Sequence, residues 1–232
     1  CRETSVSRLL QMSSLRADAD KGPSHYLRTK GEAERIVRDE AGPGLDWTIF
    51  RPSVVFGPGD GFIDRFRSLL GVLPVLPLAR PNALFAPVYV SDVAAAFARA
   101  IDRREAAGVT YQLCGPKVYS LKELVTLIAR WSGLRPRVVG LPDGLARLQA
   151  RVLDFVPGKP FSSDNFRSLT VHSICEKEAP GLRALGIEPT PLEAVAPAYL
   201  AAASSSPAEA SRAARAALRS DAGRSPSDSH RA

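Results

Sequence analysis

Short runs of β-branched and aromatic residues alternate along this chain with segments of helical periodicity. Strand-like runs lie at residues 6–12, 46–56, 88–90 and 111–113, and helical patterns lie at 24–40, 61–70, 92–104 and from 121 onward. Strands that alternate with helices are typical of βαβ units, whose strands are parallel. The alternation predicts an α/β fold with a mainly parallel sheet.

Capping patterns fix several of the predicted helix starts. Ser91 is expected to cap the helix at 92–104. Ser120 and Glu123 form an S-x-x-E capping box, and Thr190 with Glu193 forms a second one, with proline at the first helical position. We therefore expect helices to open at these three points.

The chain divides into a folded part and a tail. Residues 1–200 carry the strand and helix patterns, whereas residues 201–232 contain almost no large apolar side chains and are predicted to be a disordered tail. Within the folded part, residues 1–110 are interpreted as a sheet domain and residues 111–200 as a small α/β substrate region. The longest charge-free apolar stretch, at 68–79, is too short to span a bilayer.

The cysteines and histidines do not form a recognisable metal pattern. Cys1, Cys114 and Cys175 are odd in number and widely spaced, so we expect neither a disulfide framework nor a zinc site. Cys114 is interpreted as a small buried apolar residue. His172 and Cys175 lie three residues apart, but two ligands make a poor metal site, and a structural role is preferred.

The net charge of +7 is spread thinly along the chain. Its one local cluster comprises Arg130, Arg135, Arg137, Arg147 and Arg151. Because no aromatic platform is interleaved with these arginines, nucleic-acid binding is not expected. A solvated face is the preferred interpretation, and contact with a phosphate, a membrane surface or a partner protein is the alternative.

The sharpest chemical signal is the pair Tyr26 and Lys30, which lie one helical turn apart on the same face. A nearby ammonium favours the phenolate form of a tyrosine, which can then exchange a proton with a substrate oxygen. Ser14, or alternatively Ser13, follows the first strand and could hold that oxygen. Packing of the tyrosine and solvation of the lysine is the competing interpretation. His25 is expected to point elsewhere.

The motifs YLRTK, TIFRPSVVFGPGD and PVYVSDVAAAFARAI resemble those of the extended short-chain dehydrogenase/reductase superfamily. The stretches LARLQARVLDFVPGKPFSSDNFRSL and LGIEPTPLEAV resemble more narrowly its atypical branch, which contains the nucleotide-binding accessory subunit of respiratory complex I. The resemblance covers about residues 5–200. It implies the C-terminal part of a doubly wound, Rossmann-like sheet that binds NAD or NADP.

The resemblance also implies roles for individual residues. Tyr26 corresponds to the catalytic tyrosine, Lys30 to the ribose-binding lysine and Ser14 to the serine that binds the substrate oxygen. The remaining implied positions are the loop against the nicotinamide, Pro52, Ser53 and Val54, and the border of the substrate pocket, Val55, Phe56 and Phe62.

One family feature does not appear in this sequence, namely the glycine-rich turn that binds pyrophosphate. The cluster Gly57-Pro58-Gly59-Asp60-Gly61 lacks the third glycine of that motif and is interpreted as an ordinary turn. We therefore expect the chain to be an N-terminally truncated fragment. Residues 1–232 alone are expected to bind NAD(P) weakly or not at all in a calorimetric titration, and micromolar binding would contradict this.

The preferred function is an NAD(P)-dependent oxidoreductase or epimerase acting on a small-molecule substrate. The alternative is a non-catalytic NAD(P)-binding accessory or assembly protein, linked to respiratory complex I or quinone metabolism. We expect a cytoplasmic protein, with peripheral association with the inner face of a membrane or with a respiratory complex left open.

Overall fold

The fold is built around a small parallel sheet flanked by helices. The computed structural model describes residues 6–41, 44–135, 137–156 and 161–202. The elements in chain order are β1 (Arg8–Met12), α1 (His25–Glu40), β2 (Asp46–Pro52), β3 (Val55–Phe56), α2 (Ile63–Val72), β4 (Val75–Leu78), β5 (Leu84–Phe85), β6 (Val88–Tyr89), α3 (Val90–Ile101), β7 (Val109–Leu113), β8 (Tyr119–Ser120), α4 (Leu121–Trp131), β9 (Arg137–Gly140), α5 (Asp143–Leu153), α6 (Ser163–Ser168) and α7 (Leu192–Ala202).

The main sheet has the strand order β1-β2-β7, and both of its pairs are parallel. Thr48 at the centre of β2 is aligned with Leu10 of β1 and with Val109 of β7. Two further strand pairs are parallel, β3 with β6 and β4 with β9, whereas β5 with β8 is antiparallel. The predicted α/β class with a mainly parallel sheet is confirmed.

Two apolar clusters hold the helices in place. One lies between the main sheet and α3, where Phe50, Ala96 and Leu113 are fully buried. The other joins α2, α4 and α7 and includes Leu124 and Leu200. Each cluster uses the apolar side of an amphipathic helix, which is why the helical periodicity of the sequence indicated these segments correctly.

The predicted helix starts are only partly right. The capping box of Ser120 and Glu123 is present at the start of α4. The prediction for Ser91 is wrong, because α3 begins at Val90 and its cap position, Tyr89, makes no side-chain capping bond. The hydroxyl of Thr190 donates to Asp92 at 2.9 Å, and α7 begins two residues later, at Leu192, so the second capping box stays a prediction.

The interpretation of two cysteines is also wrong, because Cys114 and Cys175 form a disulfide bond. It joins the residue after β7 to a segment 61 residues further along the chain. That segment is held against the sheet region by backbone hydrogen bonds of Ser173 to Leu84 and Ala86. His172 has a structural role, since its Nδ1 accepts the Leu84 backbone N–H at 3.1 Å. Sequence spacing alone does not reveal such a long-range pairing.

None of the described helices has the length and hydropathy needed to cross a membrane. The predicted disordered tail lies, apart from its first two residues in α7, outside the described residues. The division at residue 110 stays a prediction; β7, at 109–113, completes the sheet of the first part.

Candidate active site

The start of α1 is fixed from both its own sequence and a distant helix. Ser24 is the N-cap and accepts the Leu27 N–H at 3.1 Å. The Asp164 carboxylate, on α6, accepts the backbone N–H groups of His25 at 2.6 Å and Tyr26 at 3.1 Å. These groups are among the helix donors that lack intrahelical partners, so α6 both satisfies and positions the first turn of α1.

A close contact at Gly31 sets the distance between α1 and the loop after β1. A Cβ atom at Gly31 would lie 2.2 Å from the backbone nitrogen of Ala19, so only glycine allows this approach. Together with Leu27, Gly31 lies on the buried side of the helix. The residues beside this face, Tyr26 and Lys30, are thereby held at the edge of the loop that contains Ser14.

The Lys30 side chain lies at the carboxyl end of β1, and Tyr26 lies one helical turn before it on α1. Lys30 Nζ donates to the carbonyl oxygen of Met12, the last residue of β1, at 3.1 Å. Tyr26 is 48% exposed, so it does not belong to the interior packing. The carboxyl ends of strands are where open α/β sheets place their ligand sites.

The two serines after β1 have different environments. Ser13 is buried, and its hydroxyl donates to Glu34 at 2.5 Å. Ser14 is half-buried, and its hydroxyl makes only a long contact of 3.4 Å with the Leu15 carbonyl. The hydroxyl of Ser14 is therefore the one available to a ligand, while that of Ser13 is engaged in the fold.

Glu34 organises a buried ionic network beneath the site. Arg51 donates to it through Nε at 2.7 Å and Nη2 at 2.5 Å, and Arg38 donates at 2.8 Å. Burial by itself would raise the pKa of Glu34, but hydrogen bonds from Arg51 and Ser13 outweigh it and hold this pKa below its usual value. The network connects α1 to β2 and to the end of β1, so it fixes the residue that precedes Ser14.

The residues predicted to lie against the nicotinamide belong to the end of β2 and the turn after it. Pro52 is buried at the last position of β2, and its carbonyl accepts the Leu15 N–H at 3.0 Å. The Ser53 hydroxyl donates to the Ser173 carbonyl at 2.7 Å and accepts the Ala86 N–H at 3.2 Å. The structure thus places this turn directly beside the loop of Ser13 and Ser14.

Of the three predicted pocket residues, only Phe62 lines a cavity, whose volume is about 600 Å³. Val54, which was predicted to lie against the nicotinamide, lines the same cavity. Phe56 is 1% exposed and belongs to the apolar core, and Val55 packs against the core between the sheet and α3. The structure therefore brings Val54 and Phe62 to one surface and places the other two elsewhere.

The glycine cluster before α2 is a turn built around Asp60, as predicted. The Asp60 carboxylate accepts the backbone N–H groups of Gly57, Phe62 and Ile63, at 3.1, 3.0 and 2.6 Å. Burial raises the pKa of Asp60 above its usual value although these N–H groups favour the charged form. The N-terminus of α2 is therefore occupied by the protein's own carboxylate and does not offer its N–H groups to a phosphate.

Sequence reasoning did not find Glu34, Arg51 or Asp164. Glu34 could have been found because it lies on the same helix face as Leu27 and Gly31. That face is buried, and a buried carboxylate requires a partner. Nothing local indicated Asp164, which lies 138 residues from Tyr26. Within the described residues no group of His, Cys, Asp and Glu side chains is suited to hold a metal ion.

Comparisons with known proteins agree with this architecture. A family model described as male sterility protein matches residues 5–79. The chain is 31% identical over 195 residues to subunit 9 of the NADH dehydrogenase [ubiquinone] 1 alpha subcomplex of Rattus norvegicus, covering 83% of this chain and 50% of the relative. It is 30% identical over 139 residues to a ceramide reductase of Caulobacter vibrioides, covering 59% and 42%.

Solved structures show the same fold. The NADPH complex of a quinone oxidoreductase from Escherichia coli superposes with a TM-score of 0.63 at 20% identity, covering 82% of this chain and 65% of that one. A nucleoside-diphosphate-sugar epimerase from Staphylococcus aureus gives 0.64 at 17%, covering 86% and 66%. The sequence matches agree with the resemblance to the extended short-chain dehydrogenase/reductase superfamily. It spans about half the length of the sequence relatives it matches.

Proposed function

We propose that this protein is an NAD(P)-dependent oxidoreductase or epimerase, with Tyr26 as its acid/base. The observation that carries the proposal is the 3.1 Å bond from Lys30 Nζ to the Met12 carbonyl. It supports a placement of the Tyr26–Lys30 face at the carboxyl end of β1, beside the available hydroxyl of Ser14. The accessible Tyr26 ring agrees with contact with a ligand.

In the proposed reaction Tyr26 exchanges one proton with the substrate oxygen. The Tyr26 phenolate oxygen would accept the proton of a substrate hydroxyl in the oxidative direction and return it in the reductive direction. The Ser14 hydroxyl holds the same oxygen by a hydrogen bond. The carbonyl of Met12 orients the ammonium so that its other N–H bonds remain free for ligand hydroxyls.

The residues present fit the nicotinamide and ribose half of a dinucleotide. Lys30 would hold the ribose, and Pro52, Ser53 and Val54 would border the nicotinamide, since this turn adjoins the loop of Ser14. When bound, NAD or NADP supplies the hydride acceptor or donor. Among the described residues no helix opens on a glycine-rich pyrophosphate turn, and α2 is closed by Asp60.

The test of this proposal separates the proton transfer from dinucleotide binding. In the complete protein, Tyr26→Phe should abolish dinucleotide-dependent turnover and leave dinucleotide affinity nearly unchanged. Lys30→Met should weaken dinucleotide affinity as well. Candidate substrates are quinones, sugars and long-chain alcohols, because the relatives and fold neighbours include proteins named as a quinone oxidoreductase, a sugar epimerase and a ceramide reductase.

A second candidate function is a non-catalytic accessory role in a respiratory complex. It is favoured by the relatives from Rattus norvegicus and Neurospora crassa, which are both named as mitochondrial NADH-ubiquinone oxidoreductase subunits. Lys30 could hold a ribose in such a protein without chemistry at Tyr26. Dinucleotide oxidation that persists undiminished in Tyr26→Phe would favour this role over the first.

The surface of α5 supports peripheral association with a membrane. Leu145, Leu148 and Val152 form an exposed apolar stripe, and each is more than half exposed. Arg147 and Arg151 lie on the same helix. An apolar helix face with flanking arginines is suited to the interface of an anionic bilayer.

We expect the protein to cosediment with vesicles that contain phosphatidylglycerol and much less with pure phosphatidylcholine vesicles. Leu148→Glu should remove most of this binding, because it places a carboxylate in the stripe. Ile101→Glu, at an equally exposed apolar position on α3, is the matched control and should bind as before. Equal binding to both vesicle types, or by Leu148→Glu, would contradict the membrane association.

A further inference from the structure

The cavity that Val54 and Phe62 border extends well beyond the predicted pocket residues. Its volume of about 600 Å³ is in the range of small-molecule sites. The walls come from α2, β4, β5, α4, α5 and α6, and its apolar lining includes Phe66, Leu69, Leu73, Leu76, Leu153 and Leu169. No sequence signal indicated this cavity, because its walls come from six separate elements.

The chemistry of the walls favours an apolar ligand. Phe62 lies edge-on to Phe66 with ring centroids 5.1 Å apart, and it is 5.9 Å from Phe85. Two polar side chains in the lining are engaged elsewhere: Gln149 donates to the Pro77 carbonyl at 3.3 Å, and the side-chain oxygen of Asn165 accepts the Ser162 N–H at 3.0 Å. The other polar residues of the lining are Arg65 on α2 and Ser168 on α6. A ligand rich in hydroxyl groups would lose its water hydrogen bonds here with few replacements.

One wall of the cavity is the helix that also binds the start of α1. Asn165 and Ser168 line the cavity from α6. On the same helix, Asp164 accepts the Tyr26 N–H at 3.1 Å and Ser168 donates to Ser24 at 2.8 Å. Two of the polar lining residues therefore lie on the helix that binds the backbone of Tyr26.

We infer that the cavity binds the hydrocarbon chain of the substrate, and that the substrate is an alcohol or carbonyl compound carrying a long alkyl or isoprenoid chain. The inference rests on the proposed function for the role of Tyr26, and it adds the substrate class. The apolar walls would take the chain, while the oxygen-bearing end would lie toward α6 and the start of α1.

The test is a calorimetric titration of the protein, without dinucleotide, with hexanol, octanol and decanol. Each added methylene that enters an apolar cavity contributes about 0.8 kcal/mol, which corresponds to about a fourfold gain in affinity. We expect affinity to rise by about that factor for each methylene along this series. Affinity that is independent of chain length would overturn the inference.

Two glycine variants locate the binding. A Cβ atom at Gly61, in the cavity lining, meets no atom within 4 Å, so Gly61→Leu can extend into the cavity without displacing the backbone. It should weaken decanol binding about tenfold or more, because it would occupy a volume equivalent to several methylenes. Gly71→Leu is the matched control, since Gly71 has the same open space and lies outside the lining. Equal losses of decanol affinity in the two variants would show that decanol does not bind in this cavity.

The two proposals fail in distinguishable ways. Tyr26→Phe should bind decanol as the unmodified protein does, because Tyr26 is not part of the cavity lining. If alkanol affinity rises with alkyl-chain length but no turnover depends on Tyr26, the cavity binds a hydrocarbon chain and the proposed chemistry is wrong. If turnover depends on Tyr26 but alkanol affinity does not change with alkyl-chain length, the proposed chemistry stands and the inferred substrate class is wrong.

Discussion

Replacement of Tyr26 by phenylalanine is expected to lower turnover of the complete protein by about 10²–10⁴-fold, the range associated with a positioned acid/base. The substitution removes one oxygen atom from a side chain that is 48% exposed, so it leaves the core and the helix intact. Its effect should therefore fall on the rate and not on stability. The measurement is steady-state dinucleotide absorbance with a responsive alcohol or carbonyl substrate.

A matched control distinguishes this effect from a general response to loss of a phenol. Tyr111→Phe makes the same chemical change on β7, where the ring is buried and stacked at 5.8 Å on Phe50. It should retain turnover within a few-fold. Comparable losses in the two variants would remove Tyr26 from the mechanism, and undiminished turnover in Tyr26→Phe would do the same.

Local patterns were sufficient to predict the elements that carry the site. The alternation of strand and helix periods indicated the parallel sheet, since a strand and a helix each bury one periodic face. The four-residue spacing of Tyr26 and Lys30 placed them on one face of α1 without knowledge of any other element. The Lys30 side chain contacts the carboxyl end of β1, and the backbone N–H of Tyr26 donates to Asp164 of α6.

Long-range contacts were not accessible to the same reasoning. The disulfide between Cys114 and Cys175 spans 61 residues, and Asp164 reaches the start of α1 from 138 residues away. Ser91 is not a cap because α3 begins at Val90, directly after β6, which is held in place by its pairing with β3. In each case a tertiary contact determines the local structure, and the spacing of residues along the chain does not predict that contact.

Glu34→Ala is expected to lower the free energy of unfolding by about 3–5 kcal/mol, the cost typical of removing one partner from a buried ion pair. The Glu34 side chain is 1% exposed and is bound by Arg51 and Arg38. Its removal would leave the Arg51 guanidinium and the Ser13 hydroxyl without their acceptor. Denaturant titration measures the change.

Glu32→Ala on the same helix is the control for the loss of a glutamate. Glu32 pairs with Arg35 at 2.7 Å, but both side chains are about half exposed. Exposed pairs contribute about 0–1 kcal/mol, so this variant should change stability little. Similar costs for Glu32→Ala and Glu34→Ala would show that the buried network contributes no more than an exposed pair.

The pH dependence of this stability follows from the depressed pKa of Glu34. Hydrogen bonds from Arg51 and Ser13 stabilise the charged form in the folded state, so the folded protein releases this proton more readily than the unfolded chain. The contribution of Glu34 is therefore fully present above the usual pKa of 4.5 and is lost as the pH falls through the lower folded value. The stability difference between the unmodified protein and Glu34→Gln should stay constant near neutral pH and shrink below pH 4.5.

Because Ser13 precedes Ser14, the same acidification should loosen the loop that presents the Ser14 hydroxyl, and turnover should fall over that pH range before the protein unfolds. A difference that grows on acidification would mean that Glu34 is neutral in the folded protein, and it would remove the ionic network from the framework of the site.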